Sequence, residues 1–238
     1  MKKFKALLVV ACALLLVARQ KAALLDGCDR AASVFGTMAY LTSTDTVTNT
    51  FTVGKVNIKL DEAQVNADGK PIKKDGAIVE KAADAERVKE NSYKLLPGHT
   101  YTKDPTVTVE AGSEASYVRQ MVTVTFDKVL TDAQLATQLD GIFTGYDANW
   151  VRNDKKVETK TKDGAKYTVI TYEYRYKDKV AATTTDSKLP ALFTGIKVPE
   201  TWTNDDLAAL GNIEINIVAH AIQADGFDNA DDAWAKFK

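Results

Sequence analysis

Cysteine, histidine and proline are scarce in this chain of 238 residues, which has two, two and five of them. Two cysteines are too few for a disulfide framework or a Cys-rich zinc site. Two histidines far apart, with no His-Glu-x-x-His helix, leave no zincin motif. Charge of one sign is lacking as well: 31 Lys and Arg stand against 32 Asp and Glu, without the basic excess of a nucleic-acid binder. No apolar run reaches the roughly 20 residues of a membrane-spanning helix. What remains is 45% hydrophobic and 26% charged, the composition of an ordinary globular protein.

The start of the chain departs from that average. Lys2, Lys3 and Lys5 precede an unbroken apolar stretch from Ala6 to Ala18, the length and polarity of a secretory signal peptide. Thr37-Met38-Ala39 supplies a small-x-small site, so cleavage is expected between Ala39 and Tyr40. Residues 1–39 are then an atypical signal peptide, in which the segment 19–31 reads as an insertion within the apolar run. Residues 40–238 form a single domain. The cut removes both Cys12 and Cys28, and the mature chain has a net negative charge. Leu25-Asp26-Gly27-Cys28 is a poor lipoprotein box because Asp26 lies inside it.

Beyond the leader the hydrophobic period is two. Val47, Phe51 and Val53 occupy odd positions, and Val56, Ile58 and Leu60 even ones, a parity change at Gly54 that predicts a β-bulge. Glu62 to Asn91 is polar and rich in turn signals, and reads as a surface insertion with one short helix over Ala82–Val88. Strands are expected at 105–109, 117–126, 157–162, 166–176, 192–198 and 213–223. Asp163-Gly164 marks the hairpin between two of them. The second half of 213–223 adds Val218 and Ile222 to the alternate face, which predicts burial on both sides. Short capped helices are expected from Thr131 through Leu139, over Thr203–Leu210 and over Asn229–Phe237. The fold class that follows is all-β, a sandwich with short helices in its loops.

Four stretches carry a family resemblance. They are Gly36-Thr37-Met38-Ala39-Tyr40-Leu41-Thr42 leading into Val47 to Gly54; Leu96-Pro97-Gly98 with Lys103-Asp104-Pro105-Thr106-Val107-Thr108-Val109; Ser116-Tyr117-Val118-Arg119; and Ala221 to Phe227 before Ala233-Trp234. Together they resemble the TasA/camelysin family of exported proteins of Gram-positive bacteria. The resemblance implies a jelly-roll β-sandwich, processing by a signal peptidase of the SipW type, and a place in the biofilm matrix or on the cell surface. It also implies self-association, or association with related matrix proteins, in fibres where the N-terminal segment of one subunit completes the sheet of the next. Val47, Phe51 and Val53 are the expected assembly strand. Residues 40–53 contain no Lys, Arg or Pro to protect a sheet edge. The same strand can equally pair within its own subunit.

Camelysin has been classed as a metallopeptidase, which makes His99 and His220 the residues to weigh. His99 follows a Pro-Gly turn and reads as solvated, and His220 lies on a strand and reads as packed; neither predicts a catalytic centre. For calcium, the stretch from Gln64 to Asp75 imitates an EF-hand loop but has Gln where the first Asp belongs. Asp225, Asp228, Asp231 and Asp232 are the better candidates, although Asp residues there also favour a helix N-terminus. No other cofactor and no nucleic-acid partner is expected. Tyr172, Tyr174 and Tyr176 form a row that is either a glycan- or protein-binding face or one inner face of the sandwich. The expected function is structural and non-enzymatic. The alternative is a monomeric extracellular module that binds glycan or protein.

Overall fold

The computed structural model describes residues 54–132, 134, 135 and 141–237. The signal peptide, the Ala39–Tyr40 cleavage site and the strand carrying Val47, Phe51 and Val53 lie outside the described residues. Three antiparallel sheets account for the described strands. The largest is built from β5 (Ser116–Phe126), β7 (Trp150–Lys162), β8 (Ala165–Tyr176) and β11 (Ile213–Gln223), in the order β11-β5-β8-β7. A second sheet has the order β2-β1-β4-β9, from β1 (Ile58–Ala63), β2 (Arg87–Val88), β4 (Thr106–Val109) and β9 (Ser187–Lys188). The third joins β3 (Thr100–Thr102), β10 (Gly195–Lys197) and β6 (Phe143–Thr144). The chain is therefore mostly β, with antiparallel sheets, as its period-two pattern predicts.

All three sheets contribute to one core. Val118, Val122, Val124 and Phe126 of β5 are fully buried and pack with Val107 and Val109 of β4, Tyr101 of β3 and Ile196 of β10. In β8, Ile170, Tyr172 and Tyr174 are buried in the same cluster, with Tyr176 partly buried against it. The tyrosine row is thus an inner face. At the β7–β8 hairpin, Asp163 and Gly164 both take positive φ, 51° and 82°, which matches the right-handed twist of the strands they join.

The helices follow their caps. The Thr203 hydroxyl accepts from the Asp206 N–H and the Asp206 carboxylate accepts from the Thr203 N–H, opening α1 (Asn204–Leu210) with a reciprocal box. Asn229 caps α2 (Ala230–Lys236) by accepting from the Asp232 N–H. At Thr131 the same reciprocal pattern with Gln134 is present.

Several boundaries differ from the sequence expectation. Strand β1 begins at Ile58, and the first half of the parity change, Val47 to Val53, lies outside the described residues. The expected helix at 82–88 is a single 3-10 turn, Ala82–Asp84, because Arg87 and Val88 pair with Ala63 and Glu62 of β1 instead. Strand β7 starts at Trp150, seven residues earlier than expected: a charged run exposed on both faces has no hydrophobic period to announce it. The expected strand at 192–198 shrinks to Gly195–Lys197. Val218 is 44% exposed, so the second half of β11 is not buried on both sides.

Candidate functional site

A sheet has two edges, and the two edges of the large sheet are chemically unlike. On one edge, β7 carries Lys155, Lys156, Lys160 and Lys162, and its pairing with β8 is broken by an irregularity between Arg152 and Asp154. Lysines and bulges are what native proteins use to keep an edge from pairing with another chain. On the other edge, β11 holds no Lys, Arg or Pro along its whole length. Every residue of β11 pairs with β5, from Ile213 opposite Phe126 to Gln223 opposite Ser116. Among the described residues no strand pairs with its other side. Alternate main-chain N–H and C=O groups of β11 therefore face outward, in register for a further strand.

Beside that edge runs a groove of about 1240 Å³. Strand β1 approaches β11 across it without pairing. Ile213, Ile215 and Ile217, half-buried on the core side of β11, line one wall, and Ile58, Leu60 and Leu95 line the other. The alternation that places these isoleucines inward leaves Glu214, Asn216 and Val218 exposed. A β-segment laid along β11 would thus gain main-chain hydrogen bonds and apolar pockets for every second side chain.

The charges on the far wall of the groove are paired. Lys103 and Glu62, each 6% exposed, meet at 2.5 Å. Asn91 donates to the other oxygen of Glu62 at 2.8 Å. Arg87 donates to Asp61 at 2.8 Å and to Asp104 at 2.6 Å. Burial raises the Asp61 pKa, but hydrogen bonds from Lys59 and Arg87 outweigh it and hold the carboxyl below its ordinary value. The polar stretch from Glu62 to Asn91 lies largely at the surface, and Arg87 ties it to Asp61 of β1 and to Asp104 before β4. Sequence reasoning missed both the groove and this network.

The other candidate residues are placed as follows. His99 is exposed in its turn, 6.3 Å from the Tyr101 ring. His220 is half-buried on β11, and its Nδ1 accepts from Arg119 Nε at 3.1 Å. Asp231 pairs with Arg175, and Asp232 accepts from the Asn229 side chain. The Asn66 carboxamide oxygen, in the stretch that imitates an EF-hand, accepts from the N–H groups of Asp68 and Lys70. Among the described residues no three His, Asp or Glu side chains come together to hold a metal ion, and no helix is long and apolar enough to cross a membrane. Compared with known proteins, the chain matches no family model, no curated protein and no solved structure.

Proposed function

We propose that this chain is an exported structural protein, a jelly-roll sandwich subunit of extracellular matrix or surface fibres. Each subunit lays residues 40–53 along the β11 edge of the next. The observation that carries the reading is the contrast between the lysine-guarded edge of β7 and the unguarded edge of β11 above an apolar groove. The donor has matching chemistry: Val47, Phe51 and Val53 alternate with polar residues, and no Lys, Arg or Pro interrupts them. It also has the length. At about 3.4 Å per residue, residues 40–53 span more than the whole of β11. Addition of this kind runs head to tail and does not close, so it yields filaments.

In this reading the first 39 residues are the export signal, and their removal frees the donor strand. A dedicated peptidase of the SipW type and related matrix proteins are the partners, and no catalytic chemistry is required. The binding-module alternative has less to stand on, because Tyr172 and Tyr174, its proposed contact face, are buried.

The test is electron microscopy of purified Tyr40–Lys238 at high concentration, beside a version lacking residues 40–53. Fibres from the first and none from the second are expected. Fibres from both would refute strand donation, and monomers from both would return the binding module to first place.

A further inference from the structure

The C-terminal helix α2 is held on the outer face of the large sheet by two guanidiniums, Arg119 beneath its end and Arg175 at its first turn. Arg119 of β5 places its Cζ 4.4 Å from the centre of the Trp234 ring and 4.8 Å from that of Phe237. Its Nε donates to Nδ1 of His220 on β11 at 3.1 Å, and one terminal nitrogen donates to Glu173 of β8 at 3.1 Å. Glu173 also accepts from Arg175 at 2.8 Å and from Asn153 of β7 at 3.2 Å. Arg175 in turn pairs with Asp231 in the first turn of α2. The His220 ring packs on Phe237, centroid to centroid at 4.7 Å.

One member of this cluster has to be neutral. Nδ1 accepts a hydrogen bond from Arg119 only in the uncharged imidazole; in the imidazolium both ring nitrogens are donors. Protonation would set donor against donor at 3.1 Å and a second cation beside the first. We propose that His220 is an acid-operated release for the C-terminal helix: neutral, it seats Arg119 beneath Trp234 and Phe237, and protonated, it unseats that guanidinium and frees residues 230–237 from the sheet.

The surrounding charges agree in sign. Burial, then the charge of Arg119, lowers the His220 pKa from 6.5, and Glu173 opposes them without reversing the shift. From β8 the cluster faces Glu173 and Arg175; from β7, Asn153; from α2, Asp231. A histidine whose pKa is lower in the strapped state than in the released one binds its proton better after release. Acid therefore favours release. The device concerns the outer face of the sheet and does not depend on fibre formation.

The test is amide hydrogen exchange of the full chain between pH about 7 and about 5, the range in which histidine switches. Rates are corrected for the intrinsic pH dependence of exchange, with α1 as the internal control. Protection of 230–237 is expected to be lost as the pH falls across this range, because the released histidine binds the proton better than the strapped one, while α1 stays unchanged. His220→Gln keeps an acceptor oxygen but has no proton to gain, and should hold the helix at both pH values. Release that is equal in His220→Gln, or no release when nuclear magnetic resonance shows His220 protonated, would overturn the proposal. Should the variant not fold, the wild-type chain decides alone: the His220 ring and Trp234 indole resonances must titrate with one midpoint, and separate midpoints would refute the coupling.

Discussion

Arg87 and Asp104 meet at 2.6 Å, and the same guanidinium holds Asp61 at 2.8 Å, so one cation closes two carboxylates into the wall beneath β1. Arg87→Ala leaves Asp104 buried without its cation, while Asp61 keeps Lys59. An uncompensated buried charge is far more costly than the intact pair is stabilising, so a loss of about 3 kcal/mol is expected, seen as a lower urea midpoint with unchanged slope.

The loss has a defined pH dependence. Asp61 has its folded pKa held below 3.8, so its contribution is present above that value and disappears as pH falls through the folded one. The stability difference between wild type and Arg87→Ala should therefore narrow in acid below about that pH. Urea titrations at a series of pH values read this directly.

Lys103 and Glu62 form the second buried pair, and a double-mutant cycle separates its two aspects. Lys103→Met alone strands a carboxylate, and Glu62→Met alone strands an ammonium, each at a cost of about 3–5 kcal/mol. The double substitution removes both charges and fills the space with apolar atoms. It is expected to be more stable than either single variant, and the coupling energy from denaturation of all four proteins measures the interaction.

Gln120 is fully buried on the core face of β5, between Val118 and Val122, and no described protein group bonds its carboxamide. Buried polar atoms without partners cost about 1–3 kcal/mol. Gln120→Met keeps the length of the side chain without its polar atoms, and should raise the thermal midpoint. Unchanged or lower stability would show that the amide is satisfied in solution.

The two edges of the large sheet make opposite predictions. Lys156 and Lys160 flank Glu158 on β7 and pair with it at 2.8 and 3.8 Å. These exposed pairs are worth little to stability. Replacing both lysines by threonine should leave the stability of the monomer unchanged but speed non-specific association, read by light scattering. On β11, Val218→Lys places a charge on an exposed edge position and should abolish fibre growth with the monomer intact.

Much of the architecture is legible in local sequence. The Asp163-Gly164 turn, the alternation of Val118, Val122, Val124 and Phe126, and the capping residues Thr203 and Asn229 each act through the conformation of a few neighbours, and a few neighbours suffice to read them. The length of β7 was hidden because a strand exposed on both faces has no period. Helix propensity at 82–88 gave way to pairing with β1, which no local window contains.

What the sequence alone determined is the antiparallel β character, the hairpin and the helix starts, all of them properties of period and turn chemistry; that the tyrosine row faces inward came from the tertiary structure. Only the tertiary structure decided that Arg87 serves Asp61, 26 positions away, that Lys103 serves Glu62, 41 positions away, and that β11 rather than β7 carries the unguarded edge beside a groove. The physical reason is that charge pairing and edge exposure depend on which strands become neighbours. That choice is made by burial of a core shared among three sheets, and no spacing along the chain encodes it.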